Sequence, residues 1–439
     1  MYLSVIYTLL FAMLLVIIGV PVATSFGLGA LAIGFTNGID VIGPFSTMFS
    51  KINSPTLVAL PLFIYMGFLM ERSGLGDRII DFASSVVGRV KGGLGVVVVF
   101  SCAIFGAVSG AGSAAVAGIG SVVIPRAVKL GYPREYMVAL VASSSVLTLL
   151  IPPSIPLLIL ALTMQVSIAG AFLTTIIPGI VLAIGYSLLN LKICKGFSMG
   201  QGHCEPNSLD KPKAKYWGEV WGSGKKSLLI MFMPIVVLGS IYGGIASPTE
   251  AASFGVIYIA FIASFVYRTM GFKGFFHATV DAGKLIGSLI FMIASLLFLS
   301  QILIYQGAPF ELANFVSSEM ELWQGLLFIN IILLLIGMIM DDISGSIIAA
   351  SILYPVASEL GIDPFHFVAI VGVNLGLGNI TPPVAPLLFL TSGVAGNVPM
   401  NLYIGHLFKF IAFVHIPVLL LVTYIPSFGL YLPTLLGFR

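Results

Sequence analysis

Two stretches, Ile151-Pro152-Pro153-Ser154-Ile155-Pro156-Leu157-Leu158 and Thr381-Pro382-Pro383-Val384-Ala385-Pro386-Leu387-Leu388, stand 230 residues apart. Each lies in a long segment, 136–191 and 364–408, that holds no Lys, Arg, Asp or Glu. A diproline cannot continue an α-helix, because neither residue supplies an N–H and each ring clashes with the preceding turn. The carbonyls one turn earlier lose their donors. At membrane depth such backbone survives only where protein or water covers it. The sequence therefore predicts two broken, protein-enclosed helices.

The match extends outward from the prolines. With the same offset, 125–160 falls on 355–390 with 14 identities in 36 positions and no gap. Pro125, Leu130 and Gly131 meet Pro355, Leu360 and Gly361, and Val138, Ala139 and Val141 meet Val368, Ala369 and Val371. The connectors differ in charge. Residues 126–135 hold Arg126, Lys129 and Arg134, whereas 356–365 hold no basic residue. Cytoplasmic loops carry the excess of Lys and Arg, so the first connector reads as inside and the second as outside. Two copies of opposite topology are the signature of inverted-repeat transporters, with sites near the midplane at broken helices.

Composition agrees. Of 439 residues, 58% are hydrophobic and 8% charged, against about 25% charged in soluble domains. Residues 1–39, 92–125 and 410–438 are also free of Lys, Arg, Asp and Glu, and a span needs only about 20 apolar residues. The fold class is an all-α polytopic membrane protein in the lipid bilayer. A net charge of +3 without a basic, aromatic-interleaved stripe argues against nucleic acid. Cys102, Cys194 and Cys204 show no metal or disulfide spacing. The N-terminus lacks a basic leader and cleavage site, and so reads as a retained first helix, with one or two spans in 2–36. No Walker motif couples the chain to ATP.

Seven of the 20 basic residues lie in 192–226, which reads as an inside loop, with Trp217 and Trp221 marking either an interfacial helix or a solvated loop. Residues 306–322 carry only acidic charges and read as outside. Segments 92–125 and 323–358 each begin and end on one side, so each reads as a re-entrant hairpin, with tips at 109–113 and 341–345. The expected division is 1–91 (N-terminal membrane helices, part of the scaffold), 92–193 (first transport repeat), 194–226 (inside loop or amphipathic helix), 227–322 (scaffold), 323–404 (second transport repeat) and 405–439 (C-terminal helix).

Oxygen-bearing side chains flank each break: Ser143, Ser144, Ser145 and Thr148 before the first, Asn374, Asn379 and Thr381 before the second. The tips add Ser109, Ser113 and Asp341. Freed carbonyls and hydroxyls suit a hard cation such as Na⁺. Asp341 and Asp342 are carboxylates deep in an apolar stretch, so they are candidates for proton coupling as the alternative, or simply caps. An aspartyl protease is disfavoured, since it needs carboxylates from separate helices. Glu250, after Pro248-Thr249, reads as a helix cap. His203, His277, His366, His406 and His415 show no ligand spacing.

Several motifs carry a family resemblance across nearly the whole chain: Leu60-Pro61-Leu62-Phe63-Ile64 with Gly67, Gly106-Ala107-Val108-Ser109-Gly110, Ser247-Pro248-Thr249-Glu250-Ala251-Ala252, Gly337-Met338-Ile339-Met340-Asp341 and the two diproline breaks. The sequence resembles the large, DctM-type permease of tripartite ATP-independent periplasmic (TRAP) transporters. The resemblance implies no enzyme activity but a sodium-driven, elevator-type carrier in the bacterial inner membrane. It implies two partners, a small DctQ-type subunit of four helices and a periplasmic solute-binding protein that delivers an organic acid (a C4-dicarboxylate, sialic acid or sugar acid). One Na⁺ would sit among Ser109, Ser113, Ser145, Thr148, Leu150 and Pro152. Another would sit among Asp341, Gly345, Gly376, Gly378, Asn379 and Thr381. Substrate would meet Ser109, Gly110, Ser154, Asn374 and Thr381 between the tips.

The opposed charge of the connectors yields a direct test. Single cysteines placed in 126–135 should resist an impermeant thiol reagent added outside, and those in 359–365 should react. Equal labelling of both would refute the inverted repeat.

Overall fold

The computed structural model describes residues 10–12, 14–16, 18–87, 92–196 and 213–438. The middle of the expected inside loop, with His203 and Cys204, and the start of the N-terminal helix lie outside them. Among the described residues all regular structure is helical. Five helices are long and apolar enough to cross a bilayer: Ile168–Cys194, Pro248–Val266, Phe272–Tyr305, Leu322–Ile339 and Met400–Tyr424. Two further spans are bent pairs, Ile42–Ile52 with Pro55–Arg72 at 55° and Arg134–Leu150 with Ile155–Met164 at 40°.

The helices sort into two groups. Phe272–Tyr305 packs on Val22–Thr36, Ile42–Ile52 and Ala59–Arg72, while Pro248–Phe261 packs on Ala59–Arg72 and Lys213–Tyr242. These are the segments expected to form the scaffold. The second group holds both expected hairpins and both broken helices, closed by Ile168–Cys194 and the helices beyond Met400. Helix Lys213–Tyr242 runs unbroken through 226/227, and Met400–Tyr424 through 404/405.

Burial follows each helix's place. Gly93–Ser109 and Pro364–Gly378 are apolar all round and almost wholly buried, the pattern of helices enclosed by others. Ile168–Cys194 keeps Ile180, Ile184 and Leu188 exposed at four-residue spacing, a stripe suited to lipid. An amphipathic helix, Leu75–Val87, joins the scaffold to the first hairpin. Near it Arg72 pairs with Asp281, and Arg126 with Asp81 at 3.4 Å. Exposed pairs of this kind contribute about 0–1 kcal/mol. The packed core therefore decides stability.

Both hairpins are present. The first has arms Gly93–Ser109 and Gly112–Lys129 around Gly110 and Ala111, and the second has arms Leu322–Ile339 and Asp342–Glu359 around Met340 and Asp341. Each returning arm contains one five-residue π-helical turn, Val116–Gly120 or Ala349–Leu353, shortly before Pro125 or Pro355. The two arms thus share one kind of irregularity, although the turns lie three residues out of the 230-residue register.

Glycines set how closely hairpin and broken helix approach. A Cβ at Gly106 would lie 2.5 Å from Thr148 Cα, and one at Gly378 would lie 2.5 Å from Gly337 Cα. Thr148 and Gly378 are repeat mates, so the same contact is built twice. Gly378→Ala should force backbone apart and cost about 1–3 kcal/mol, visible as a lower unfolding temperature in detergent. Gly405→Ala, which meets nothing within 4 Å, should leave that temperature unchanged or slightly raised. Equal behaviour of the two variants would contradict this packing.

Candidate functional site

The first break is built as the prolines require. Pro152 and Pro153 offer no N–H to the carbonyls of Thr148 and Leu149. The amide of Ile155 turns away from its own helix and donates to Gly110 O at 3.2 Å. Gly110 takes φ +64°, and a Cβ there would lie 2.7 Å from Pro153 O, so glycine is needed on both counts. The hairpin tip is thereby fastened to the break by main-chain atoms. The second repeat repeats the device. The amide of Ala385, the mate of Ile155, donates to Met338 O at 3.2 Å, and that of Leu387 reaches back across the break to Asn379 O at 3.2 Å.

Buried oxygens surround these joints. Ser109 Oγ, Ser143 Oγ and Ser154 Oγ in the first repeat have no hydrogen-bond partner among the described residues. In the second repeat the same holds for both polar atoms of the Asn379 side chain and for Asp342 Oδ1. An unpaired buried polar atom costs roughly 1–3 kcal/mol, so a cluster of them marks a place for a ligand or water. Other hydroxyls donate to carbonyls of their own helix: Thr148 to Ser145 O (2.8 Å), Ser145 to Ala142 O (2.8 Å) and Thr381 to Leu377 O (2.6 Å). Donation uses the hydrogen and leaves oxygen lone pairs, which is what a cation requires. Thr148 Oγ1 faces the first tip, 3.4 Å from the place a Gly112 Cβ would occupy.

Other candidates are placed differently. Ser113 is exposed. Leu150 O already accepts from Thr175 Oγ1 at 2.8 Å. Asn374 is held on one side, where its Nδ2 donates to Asn330 O at 3.0 Å and Oδ1 at 2.7 Å and Asn330 Nδ2 donates to Thr423 Oγ1 at 3.1 Å, while its own Oδ1 is buried without a partner among the described residues. Asp341 is the N-cap of Asp342–Ile348, accepting from Ile343 N at 3.1 Å and from the Ser344 hydroxyl. Gly345 lies under Leu375, where a Cβ would be 2.9 Å from its side chain. Glu250 closes a capping box with Ser247.

The two repeats meet on their symmetry axis. A Cβ at Gly376 would lie 2.3 Å from Val146 Cγ1, and Val146 and Gly376 are themselves repeat mates. A residue touching its own mate lies next to the pseudo-twofold. Each tip also reaches across that axis. Gly112 packs on Leu387 beyond the second break, and Asp342–Ile348 packs on Ile155–Met164 beyond the first. The tips and both breaks therefore form one block.

Sequence reasoning missed Thr175, Asn330 and Asn190. Asn190 accepts from Tyr136 Oη at 2.8 Å and donates to Gly92 O at 2.8 Å, tying the first hairpin's base to its neighbours. An amide alone in a long apolar helix was the available signal. Histidines also fasten helices. His366 Nε2 bonds Val422 O at 2.8 Å, while His415 Nε2 bonds Val373 O at 2.9 Å and its Nδ1 meets Tyr186 Oη at 2.7 Å. A carbonyl only accepts, so each Nε2 carries the proton.

Comparison with known proteins agrees with this architecture. The family described as "Tripartite ATP-independent periplasmic transporter, DctM component" matches residues 9–428. The C4-dicarboxylate TRAP transporter large permease protein DctM of Pseudomonas aeruginosa is 34% identical, over 94% of each chain. The sialic acid TRAP transporter large permease protein SiaM of Vibrio cholerae is 31% identical, over 95% of each. The crystal structure of the Alcanivorax borkumensis YdaH transporter shares the fold with a TM-score of 0.60 at 18% identity, covering 89% of this chain and 88% of that one. With its whole length matched and its repeats in place, the chain belongs to the DctM component family of tripartite ATP-independent periplasmic transporters.

Proposed function

We propose that the chain is the permease of a sodium-coupled importer of a small organic acid in the bacterial inner membrane, working with a small DctQ-type subunit and a periplasmic binding protein. The observation that carries this is the doubled joint of hairpin tip and proline break, with unpartnered buried oxygens at each. A hard cation prefers oxygen ligands. Ser109 Oγ, the lone pairs of Thr148 and the carbonyls released by Pro152 and Pro153 suit one Na⁺. Asn379 Oδ1 and the Thr381 hydroxyl suit another, with the second lone pairs of Gly378 O and Asn379 O, which already accept from the amides of Thr381 and Leu387.

The substrate class follows the relatives, which are named for C4-dicarboxylate and sialic acid in Pseudomonas aeruginosa and Vibrio cholerae and for 2,3-diketo-L-gulonate in Escherichia coli. All are organic acids. Between the tips, Ser109 and Ser154 hydroxyls would meet a carboxylate, and the bound cations would offset its charge. The small subunit is supported by the isethionate permease DctMQ of Oleidesulfovibrio alaskensis, in which 95% of this chain aligns with only 64% of the relative. Alternating access would move the block of hairpins and broken helices as a rigid body against the scaffold, exposing the tips to either side.

One observation favours a second reading. Asp342 Oδ1 is buried without a partner beside the Asp341 cap, a place where a proton could couple instead. Sodium titrations of uptake at fixed pH separate the two. Under sodium coupling, Ser109→Ala and Thr381→Val should each raise the half-saturating Na⁺ about tenfold, roughly 1.4 kcal/mol, while Asp342→Asn keeps the wild-type sodium response. Unchanged sodium dependence in both oxygen variants, with loss of uptake in Asp342→Asn, would transfer the role to the proton.

A further inference from the structure

A crevice of about 600 Å³ opens between the scaffold and the first repeat, away from the tips. Its scaffold wall includes Ser50, Ser54 and Thr56, with Ala246 and Pro248 from the turn after Lys213–Tyr242. Its other wall is the outer half of the first broken helix and the following turn, with Thr163, Gln165 and Ser167. That turn precedes Ile168–Cys194, which runs to the basic inside loop, so the crevice faces outside.

Lys51 is the one charged residue among those lining it. It is partly buried and sits in the last turn of Ile42–Ile52, and among the described residues it forms no ion pair. Glu250, two residues beyond Pro248, is held by the amide and hydroxyl of Ser247. The crevice itself is thus lined by one cationic side chain and a few hydroxyls and an amide within mostly apolar walls, with the Glu250 carboxylate engaged by Ser247 beyond its edge. Its low-dielectric walls focus the field of a single charge and raise the local concentration of an anion. Its inner end, at Ile159, is five residues past Ser154. At about 1.5 Å rise per residue this is about 8 Å from the break.

We infer that this crevice is an outer anion-binding vestibule, in which Lys51 holds the carboxylate of a small organic acid on its way to the break at Ser154. The inference rests on the reading of the chain as an organic-acid importer. The lining is largely apolar, with Ser50, Ser54, Thr56, Thr163, Gln165 and Ser167 set into both walls beside Lys51; the approach of its inner end to the break is what favours a solute carboxylate over a lipid headgroup. The vestibule places a cation at the outer approach, while the tips themselves contain no Lys or Arg. It also spans the boundary between scaffold and moving block, so a bound anion would be released as the walls separate.

Thiol chemistry tests the vestibule without a known substrate and without transport. With Cys102, Cys194 and Cys204 replaced by Ser, a reporter Thr163→Cys is placed in the full chain in phosphatidylcholine vesicles. Its reaction rates with a sulfonate-bearing and a trimethylammonium-bearing methanethiosulfonate are compared. Lys51→Gln should lower the anionic-to-cationic rate ratio about tenfold. Lys51→Arg should retain it, and a Ser317→Cys reporter on the exposed face of helix Ala308–Glu319 should show no dependence on residue 51. A ratio at Thr163→Cys that ignores Lys51→Gln would overturn the proposal. So would loss of the Lys51-dependent part when phosphatidylglycerol is added to the vesicles, since a lipid headgroup would then be the anion held. Because the readout needs no uptake, its failure is distinct from a failure of sodium coupling, which the titrations read.

Discussion

Each diproline takes two N–H donors out of a helix that has no water to replace them. In a bilayer the released carbonyls must be enclosed by protein, hydrated in a cavity or used by an ion. The structure answers with a hairpin. Its tip comes up against the break, and one amide beyond the prolines, that of Ile155 or Ala385, leaves its helix to bond the hairpin main chain. Only glycine allows the approach, at Gly106 against Thr148 and at Gly337 against Gly378. Backbone geometry, hairpin length and small residues all follow from the missing donors.

Duplication turns one such joint into a site. Because Val146 touches its own mate Gly376, the two breaks lie side by side on the pseudo-twofold. Each tip also crosses over to the other repeat's half-helix, which locks both joints into one body. The ties at the rim of that body are polar and specific, such as Asn374 with Asn330 and Thr423, or His415 between Tyr186 and Val373. Inside the body, by contrast, Ser109, Ser154 and Asn379 keep buried polar atoms unpaired. The ties at the rim fix the frame, and the unpaired atoms of Ser109, Ser154 and Asn379 lie at the joints, where a ligand would complete them. Placing the Lys51 crevice at the edge of this body puts positive charge on the approach rather than in the site.

Much of this was legible in the sequence because prolines, glycines and charges act locally. The diprolines located the breaks, and apolar segments too long for one span and too short for two located the hairpins. The Ser247–Glu250 capping box was also readable from spacing alone. Side-chain direction was not. Asn374 stands one turn before the second break, but its amide turns to Asn330, a partner 44 residues away that no local pattern names. Ser113 sits at the first tip, but on its open side. The Lys51 crevice joins elements from 50 to 297, so only the packed fold could assemble it.

In the proposed mechanism, hairpins and broken helices form one rigid body that moves against the scaffold. Pulsed electron paramagnetic resonance distances test it most directly. Spin labels at Gln165 and Glu359 report within the body, and labels at Gln165 and Ile245 report across its boundary with the scaffold. The account predicts a single, unchanged distance for the first pair when sodium is exchanged for choline, and a shift between separate distances for the second. A first pair that shifts or broadens as much as the second would contradict it.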